Sequence, residues 1–284
     1  LFVGACSKDD KIPADADDNF ITSVSLSVNN ATYDAVIADN TITITVPYTV
    51  SLNGATATVV YTPSAKIIPD PATITDWDVE RTFRVTSFNG KTNDYTYVVV
   101  KDEIRHEGNV ELKTPSDVAS FVASGATIIK GNLIIGSDAE NAEEIKDISA
   151  LEILKEVEGD IIIRKSYTGG TLTGLDNITS IGGLLIGSEE TPSANNQLEM
   201  VSMSNLTSAK GNISIYGSGA NIIEFKNLEA VGGNIIVNNA TQLSQILFHK
   251  LKEAGSIDFK ILPRDFSTLT LPELTTVELS LIHI

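Results

Sequence analysis

Apolar and polar residues alternate in short runs along most of the chain, and one run recurs. An apolar residue, a short spacer and one or two glycines lead into an aliphatic strand-like stretch. It reads Val157-Glu158-Gly159-Asp160-Ile161-Ile162-Ile163, then Ile181-Gly182-Gly183-Leu184-Leu185-Ile186. It returns as Ala209-Lys210-Gly211-Asn212-Ile213-Ser214-Ile215 and Val231-Gly232-Gly233-Asn234-Ile235-Ile236-Val237. An earlier copy is Lys130-Gly131-Asn132-Leu133-Ile134-Ile135, and a weaker late one is Ala254-Gly255-Ser256-Ile257-Asp258-Phe259. Gly131, Gly159, Gly183, Gly211, Gly233 and Gly255 are spaced by 28, 24, 28, 22 and 22 residues. Repeats of this length predict a solenoid, in which no repeat buries its own apolar face and each stacks on its neighbours.

The strand period of two assigns faces. Leu133/Ile135, Ile161/Ile163, Ile213/Ile215, Ile235/Val237 and Ile257/Phe259 are expected inward, and Ile134, Ile162, Leu185, Ser214, Ile236 and Asp258 outward. The outward column is mostly apolar. It reads either as an ordinary ladder of branched residues on a half-exposed sheet or as a docking face for a partner, a glycan or the first domain. Ahead of the glycines, apolar anchors recur at every third residue: Leu151, Leu154, Val157; Leu175, Ile178, Ile181; Met203, Leu206, Ala209; Phe225, Leu228, Val231. Each anchor is expected to turn a corner of a triangular coil, with the glycines supplying positive φ at one of them.

Before the repeats, the alternation predicts a different domain. Val24, Leu26 and Val28 alternate with serines; Ile42, Ile44 and Val46 alternate with threonines up to Pro47. Ala57–Tyr61, Phe83–Thr86 and Tyr95–Val100 read as further strands, the last two joined across an Asn89-Gly90 turn. Short strands with regular turns predict an antiparallel β-sandwich over 20–101. Trp77, the sole tryptophan, reads as a packing residue in preference to a sugar platform, because a platform gathers several aromatics. Thr114-Pro115-Ser116-Asp117 reads as a helix start, with Val118, Phe121 and Val122 at helical spacing. That short helix would cap the open end of the solenoid over 105–278. The fold class expected is therefore all-β: a sandwich, then a short right-handed β-helix with a small capping helix.

Composition narrows the chemistry. Aromatic content is 6% and apolar content 42% over 284 residues, so Ile, Leu and Val carry the core. A net charge of −17 argues against nucleic acid and against electrostatic binding to anionic lipid. One cysteine, Cys6, allows no internal disulfide and no multi-thiolate metal site, and the three histidines show no ligand spacing. Polysaccharide lyases include right-handed β-helices, but their sites need clustered Asp, Lys and Arg. Arg164 and Lys165 follow one strand without an acidic partner at the matching place in later coils. Glu140, Glu143 and Glu144 read as a solvated loop, and Asn177 as a turn residue. No catalytic residue, cofactor or metal site is assigned.

The N-terminus, Leu1-Phe2-Val3-Gly4-Ala5-Cys6, looks like the end of a truncated signal peptide, and Val3–Cys6 resembles the bacterial lipobox. Ser7, Lys8, Asp9 and Asp10 resemble the export signal of Bacteroidetes surface lipoproteins. The acidic stretch to residue 19 reads as a flexible tether. Phe83–Gly90 with Tyr95–Val99 resembles the immunoglobulin-like modules near the anchors of such lipoproteins. Leu172–Gly183 and Phe225–Asn234 resemble the receptor L domain, a short β-helix related to leucine-rich repeats. Receptor versions are associated with disulfides, which this chain lacks, so receptor-type ligand binding is not carried over. These resemblances imply a lipoprotein attached through Cys6 to the outer membrane, facing outward, with a protein or glycan ligand. The alternative is a glycan-binding accessory or lyase-like enzyme. Leu279–Ile284 looks like a translated adaptor, so 279–284 is expected to be a non-native tail.

Overall fold

The structure, a computed structural model, describes residues 12–189, 197–260 and 262–282. The chain is mostly β with one short α-helix among the described residues. It divides into two compact units, the first ending at Asp102 and the second beginning at Glu103.

In the first unit, β1 (Ile21–Val28) pairs antiparallel with β2 (Ala31–Asp34) and with β5 (Thr56–Tyr61). A second sheet runs β3 (Val36–Ala38), β4 (Thr41–Pro47), β8 (Thr92–Asp102), β7 (Arg81–Thr86), β6 (Lys66–Ile68). Two-residue turns with positive φ join β1 to β2 (Asn29, Asn30) and β3 to β4 (Asp39, Asn40). Such mirror-image turns match strand twist. The Asn89-Gly90 turn lies where expected, with Gly90 at φ 86°.

The expectation of a purely antiparallel domain is corrected by β4 and β8, which run parallel from Thr41↔Thr96 to Pro47↔Asp102. After Pro47 the chain crosses to β5 in the other sheet and returns through β6. The β7–β8 hairpin then lays β8 beside β4 in the same direction. Trp77 is fully buried against Phe83 (6.0 Å between centroids) and edge-on to Tyr97 (5.3 Å). The Tyr97 hydroxyl donates to the Trp77 carbonyl at 2.7 Å, and burial pushes its pKa well above the ordinary value. The supposed tether is ordered at its end: Pro13–Asp18 form turns, Ala16 is buried, and its carbonyl accepts Asn89 N–H at 2.9 Å.

The second unit is built of parallel ladders. Its strands are β9 (Arg105–His106), β10 (Val110–Leu112), β11 (Ile128–Ile129), β12 (Leu133–Ile135), β13 (Glu156–Ile163) and β14 (Ser180–Ile186). They continue as β15 (Met200–Ser202), β16 (Ser208–Ala209), β17 (Ile213–Tyr216), β18 (Ile222–Phe225), β19 (Ala230–Asn238) and β20 (Gln245–Phe248). The last are β21 (Glu253–Lys260), β22 (Thr268–Thr270) and β23 (Thr276–Ile282). β15, β18, β20 and β22 form one four-stranded sheet; the others form an eleven-stranded sheet. Leu133, Ile161, Leu184, Ile213, Ile235 and Ile257 are successive register partners, so each ladder step joins segments from neighbouring repeats.

Every residue expected inward is buried, and so are all twelve anchors from Leu151 to Val231. Phe225 and Phe248 stack between repeats at 5.5 Å. Helix α1 (Pro115–Ala123) starts with a capping box in which Thr114 and Asp117 satisfy each other's backbone N–H groups. Val118 and Phe121 pack into the same core as the strands. The ladder runs past residue 278, pairing Phe259 with Ile282 in β23.

The repeat glycines have a different role from the one expected. None of Gly131, Gly159, Gly182, Gly183, Gly211, Gly233 or Gly255 has positive φ; that conformation falls after the strands, at Gly136, Gly187, Gly217 and Asn239. The repeat glycines instead stack under one another. A Cβ on Gly159 would meet the Asn132 Oδ1 atom and lie 2.6 Å from the Gly131 carbonyl carbon, and one on Gly182 would lie 2.5 Å from that of Gly159. Close approach of backbone to backbone requires them.

Candidate functional site

The outward face of the eleven-stranded sheet gathers the expected residues. Ile134 lies opposite Ile162, Ile162 opposite Leu185, Leu185 opposite Ser214, Ser214 opposite Ile236 and Ile236 opposite Asp258. All six therefore form one unbroken column. The column is less open than an exposed patch would be. Ile162 is only 9% exposed and Ser214 7%, while Ile134, Leu185, Ile236 and Asp258 are half-buried. In-register neighbours above and below cover one another's flanks.

Beside this column, on the glycine side, runs a polar one. Asn132 N–H donates to Asn109 Oδ1 (2.9 Å), Asp160 N–H to Asn132 Oδ1 (2.8 Å) and Asn234 N–H to Asn212 Oδ1 (2.7 Å). The backbone partner sets the amide orientation of Asn109, Asn132 and Asn212. Oδ1 faces the next repeat, and the Nδ2 groups of Asn132, Asn212 and Asn234 make no hydrogen bond among the described residues. Asp160, Leu185, Gly211, Asn212, Ser214 and Tyr216 line a depression of about 350 Å³ on this face.

On the other side of the apolar column, the same alternation brings Tyr216 opposite Asn238 and Asn238 opposite Lys260. The Lys260 ammonium lies 2.6 Å from Asp258 Oδ2, and that hydrogen bond holds its pKa above the ordinary lysine value. Asp258 Oδ1 and Asn238 Oδ1 are buried and have no hydrogen-bond partner among the described residues. An unsatisfied buried acceptor costs about 1–3 kcal/mol, and these two have no accessible surface of their own, so a donor from outside meets them only when their side chains turn outward. Sequence reasoning missed Tyr216, Asn238 and Lys260 as a group, although each lies two residues beyond a position it named.

Elsewhere several polar and charged residues tie neighbouring repeats together. Arg164 pairs with Asp138 of the preceding repeat at 2.9 Å, and Asp138 also accepts Lys165 N–H. Asn177 donates to the Glu152 carbonyl and Asn227 to that of Ser204, both at 2.8 Å, tying one repeat to the one before. Glu140, Glu143 and Glu144 are exposed, and Glu144 pairs with Lys146. On the four-stranded sheet a smaller depression of about 200 Å³ holds Asp176 and Glu224. Glu224 lies 3.2 Å from His249 and 3.7 Å from Lys226, while Asp176 accepts Ser204 N–H at 3.0 Å. Both carboxylates are thus engaged. No group of three metal-ligating side chains occurs among the described residues, and no described helix is long and apolar enough to cross a membrane. Cys6, Ser7, Lys8, Asp9 and Asp10 lie outside the described residues.

No protein-family model matches the chain, and no curated protein matches it. Among solved structures, it is similar to a "putative glycoside hydrolase" from Bacteroides thetaiotaomicron, with 23% identity and a TM-score of 0.27. The similarity covers 33% of this chain and 28% of that one, so the chain spans under a third of the structure it resembles.

Proposed function

We propose that the protein is a surface-attached binding module that acts through the outward face of the eleven-stranded sheet. On this reading the second unit is a short right-handed β-helix of the receptor L-domain type, and the first an immunoglobulin-like sandwich. A lipid on Cys6 attaches the chain to the outer membrane, facing outward, and the protein binds without turning its ligand over. The observation that carries the reading is the single in-register column from Ile134 to Asp258. It is an aliphatic strip flanked on one side by amide donors and on the other by unsatisfied acceptors. A strip bordered by both kinds of polar group suits recognition better than simple shielding of a core.

The test immobilises the full chain and screens it against a glycan array and solubilised cell-surface proteins, wild type beside Ile236→Lys. A charge in the strip should abolish capture while the melting temperature stays unchanged. Capture that Ile236→Lys leaves intact, or turnover of a captured glycan, contradicts the proposal. Metabolic lipid labelling that Cys6→Ala removes tests the anchor separately.

A further inference from the structure

Resting on that binding reading, we propose that the ligand is a neutral oligosaccharide and that Tyr216, Asn238, Asp258 and Lys260 form its main subsite. Asp258 Oδ1 and Asn238 Oδ1 are buried acceptors without donors, and buried polar atoms in folded proteins almost always have partners. A metal cation does not suit this corner, because the Lys260 ammonium already sits 2.6 Å from the other Asp258 oxygen. The donor that fits, met as the Asp258 and Asn238 side chains turn outward, is an uncharged hydroxyl or amide.

Three neighbouring features select the hydroxyl. Tyr216, in register with Asn238, forms one wall of the depression of about 350 Å³, at the lower end of the range for small-molecule sites. Leu185 and Ile236 offer half-buried apolar surface beside it. Across that surface, the Asn212 and Asn234 Nδ2 groups offer donors. A ligand must therefore give and take hydrogen bonds along its edges while laying an apolar face on an aromatic ring and aliphatic side chains. A saccharide ring does both, through its hydroxyls and its C–H face. An extended peptide would seek unpaired backbone at a strand edge, whereas these strands are paired on both sides. An acidic polysaccharide would meet Asp160 and Asp258 on a chain of net charge −17.

The test is calorimetric titration of the full chain with soluble neutral gluco-, xylo-, manno- and galacto-oligosaccharides, with oligogalacturonate as the charged comparison. At least one neutral series should bind, and better than oligogalacturonate. Asp258→Ala and Tyr216→Leu should each weaken it at least about tenfold, as expected for loss of a hydrogen bond to a charged group or of a stacking surface. Tyr216→Phe, which keeps the ring, should bind within about threefold of wild type, and serves if Tyr216→Leu fails to fold. Absence of neutral-saccharide binding, preference for oligogalacturonate, or wild-type affinity in both Asp258→Ala and Tyr216→Leu overturns the proposal. If saccharides fail while Ile236→Lys still abolishes capture of a surface protein, the ligand class is wrong and the binding face stands. If both fail, the binding reading falls with it.

Discussion

The two units bury their cores by different means. The first closes on a few large side chains, Trp77, Phe83 and Tyr97, supplied by the β7–β8 hairpin and the segment just before it. The second has no such centre. Its aliphatic rows repeat from one ladder step to the next, and each step needs only its two neighbours. The repeat glycines differ from turn glycines in the same way. Gly54 and Gly90 of the first unit have positive φ and open space where a Cβ would sit, whereas Gly159 has ordinary φ and no space at all. One kind answers a local backbone demand, the other a demand between repeats. A concentrated core should fail at one residue, and a distributed one at its points of closest approach.

Trp77→Ala is the largest expected effect: about 3–5 kcal/mol from the first unit, for loss of a fully buried aromatic. Scanning calorimetry of the full chain checks it; a loss below about 1 kcal/mol would show that the aromatic cluster is not the centre of that core. Next comes Gly159→Ala, expected to cost about 1–3 kcal/mol because backbone on the adjoining repeat must move. Gly90→Ala should cost about 1 kcal/mol through φ alone. Equal melting shifts for the two glycines would erase the distinction drawn between them.

How much of this was legible in the sequence depends on whether the cause is local. Inward and outward columns follow from alternation, and Leu133 to Phe259 fell on the expected sides. The Thr114–Asp117 helix start carries its own chemistry. The role of Gly159 was misread because the atoms that crowd it belong to Asn132 and Gly131, a whole repeat earlier. The parallel β4–β8 pair was hidden because nothing near Ile42 or Tyr97 records the crossover between them. The Asn29-Asn30 and Asp39-Asn40 turns were legible by composition but carried no glycine to draw the eye. At the site, the column from Ile134 to Asp258 was readable. The unsatisfied oxygens of Asn238 and Asp258 were not, since burial of single atoms depends on the packed neighbours.

A smaller effect follows from the helix cap of the second unit. A hydrogen bond from the Lys113 N–H, then one from the Thr114 side chain and a weaker one from the Thr114 N–H, hold the Asp117 carboxyl below its ordinary pKa. A depressed folded pKa means that this contribution is complete above the ordinary carboxylate range and is lost as pH falls through the depressed value. Melting temperature should thus be insensitive to this group from neutral pH down to about pH 4 and fall below it, and Asp117→Asn should flatten that part of the acid limb. An unchanged limb would mean that the cap adds nothing to the aliphatic stack. Smallest of all, Ile236→Lys on the half-buried strip should change stability by no more than about 0.5 kcal/mol. Ile162→Lys, at 9% exposure between Ile134 and Leu185, should cost about 2 kcal/mol or more. Similar losses at the two sites would make the column core throughout.

The most direct test of the proposed binding face is amide hydrogen exchange on the full chain, with and without a saturating neutral oligosaccharide from the titration series. The account predicts added protection in β17, β19 and β21, which carry Tyr216, Asn238 and Asp258, with none in β15, β18 and β20 of the four-stranded sheet. Protection confined to β15, β18 and β20, or to the first unit, would contradict it.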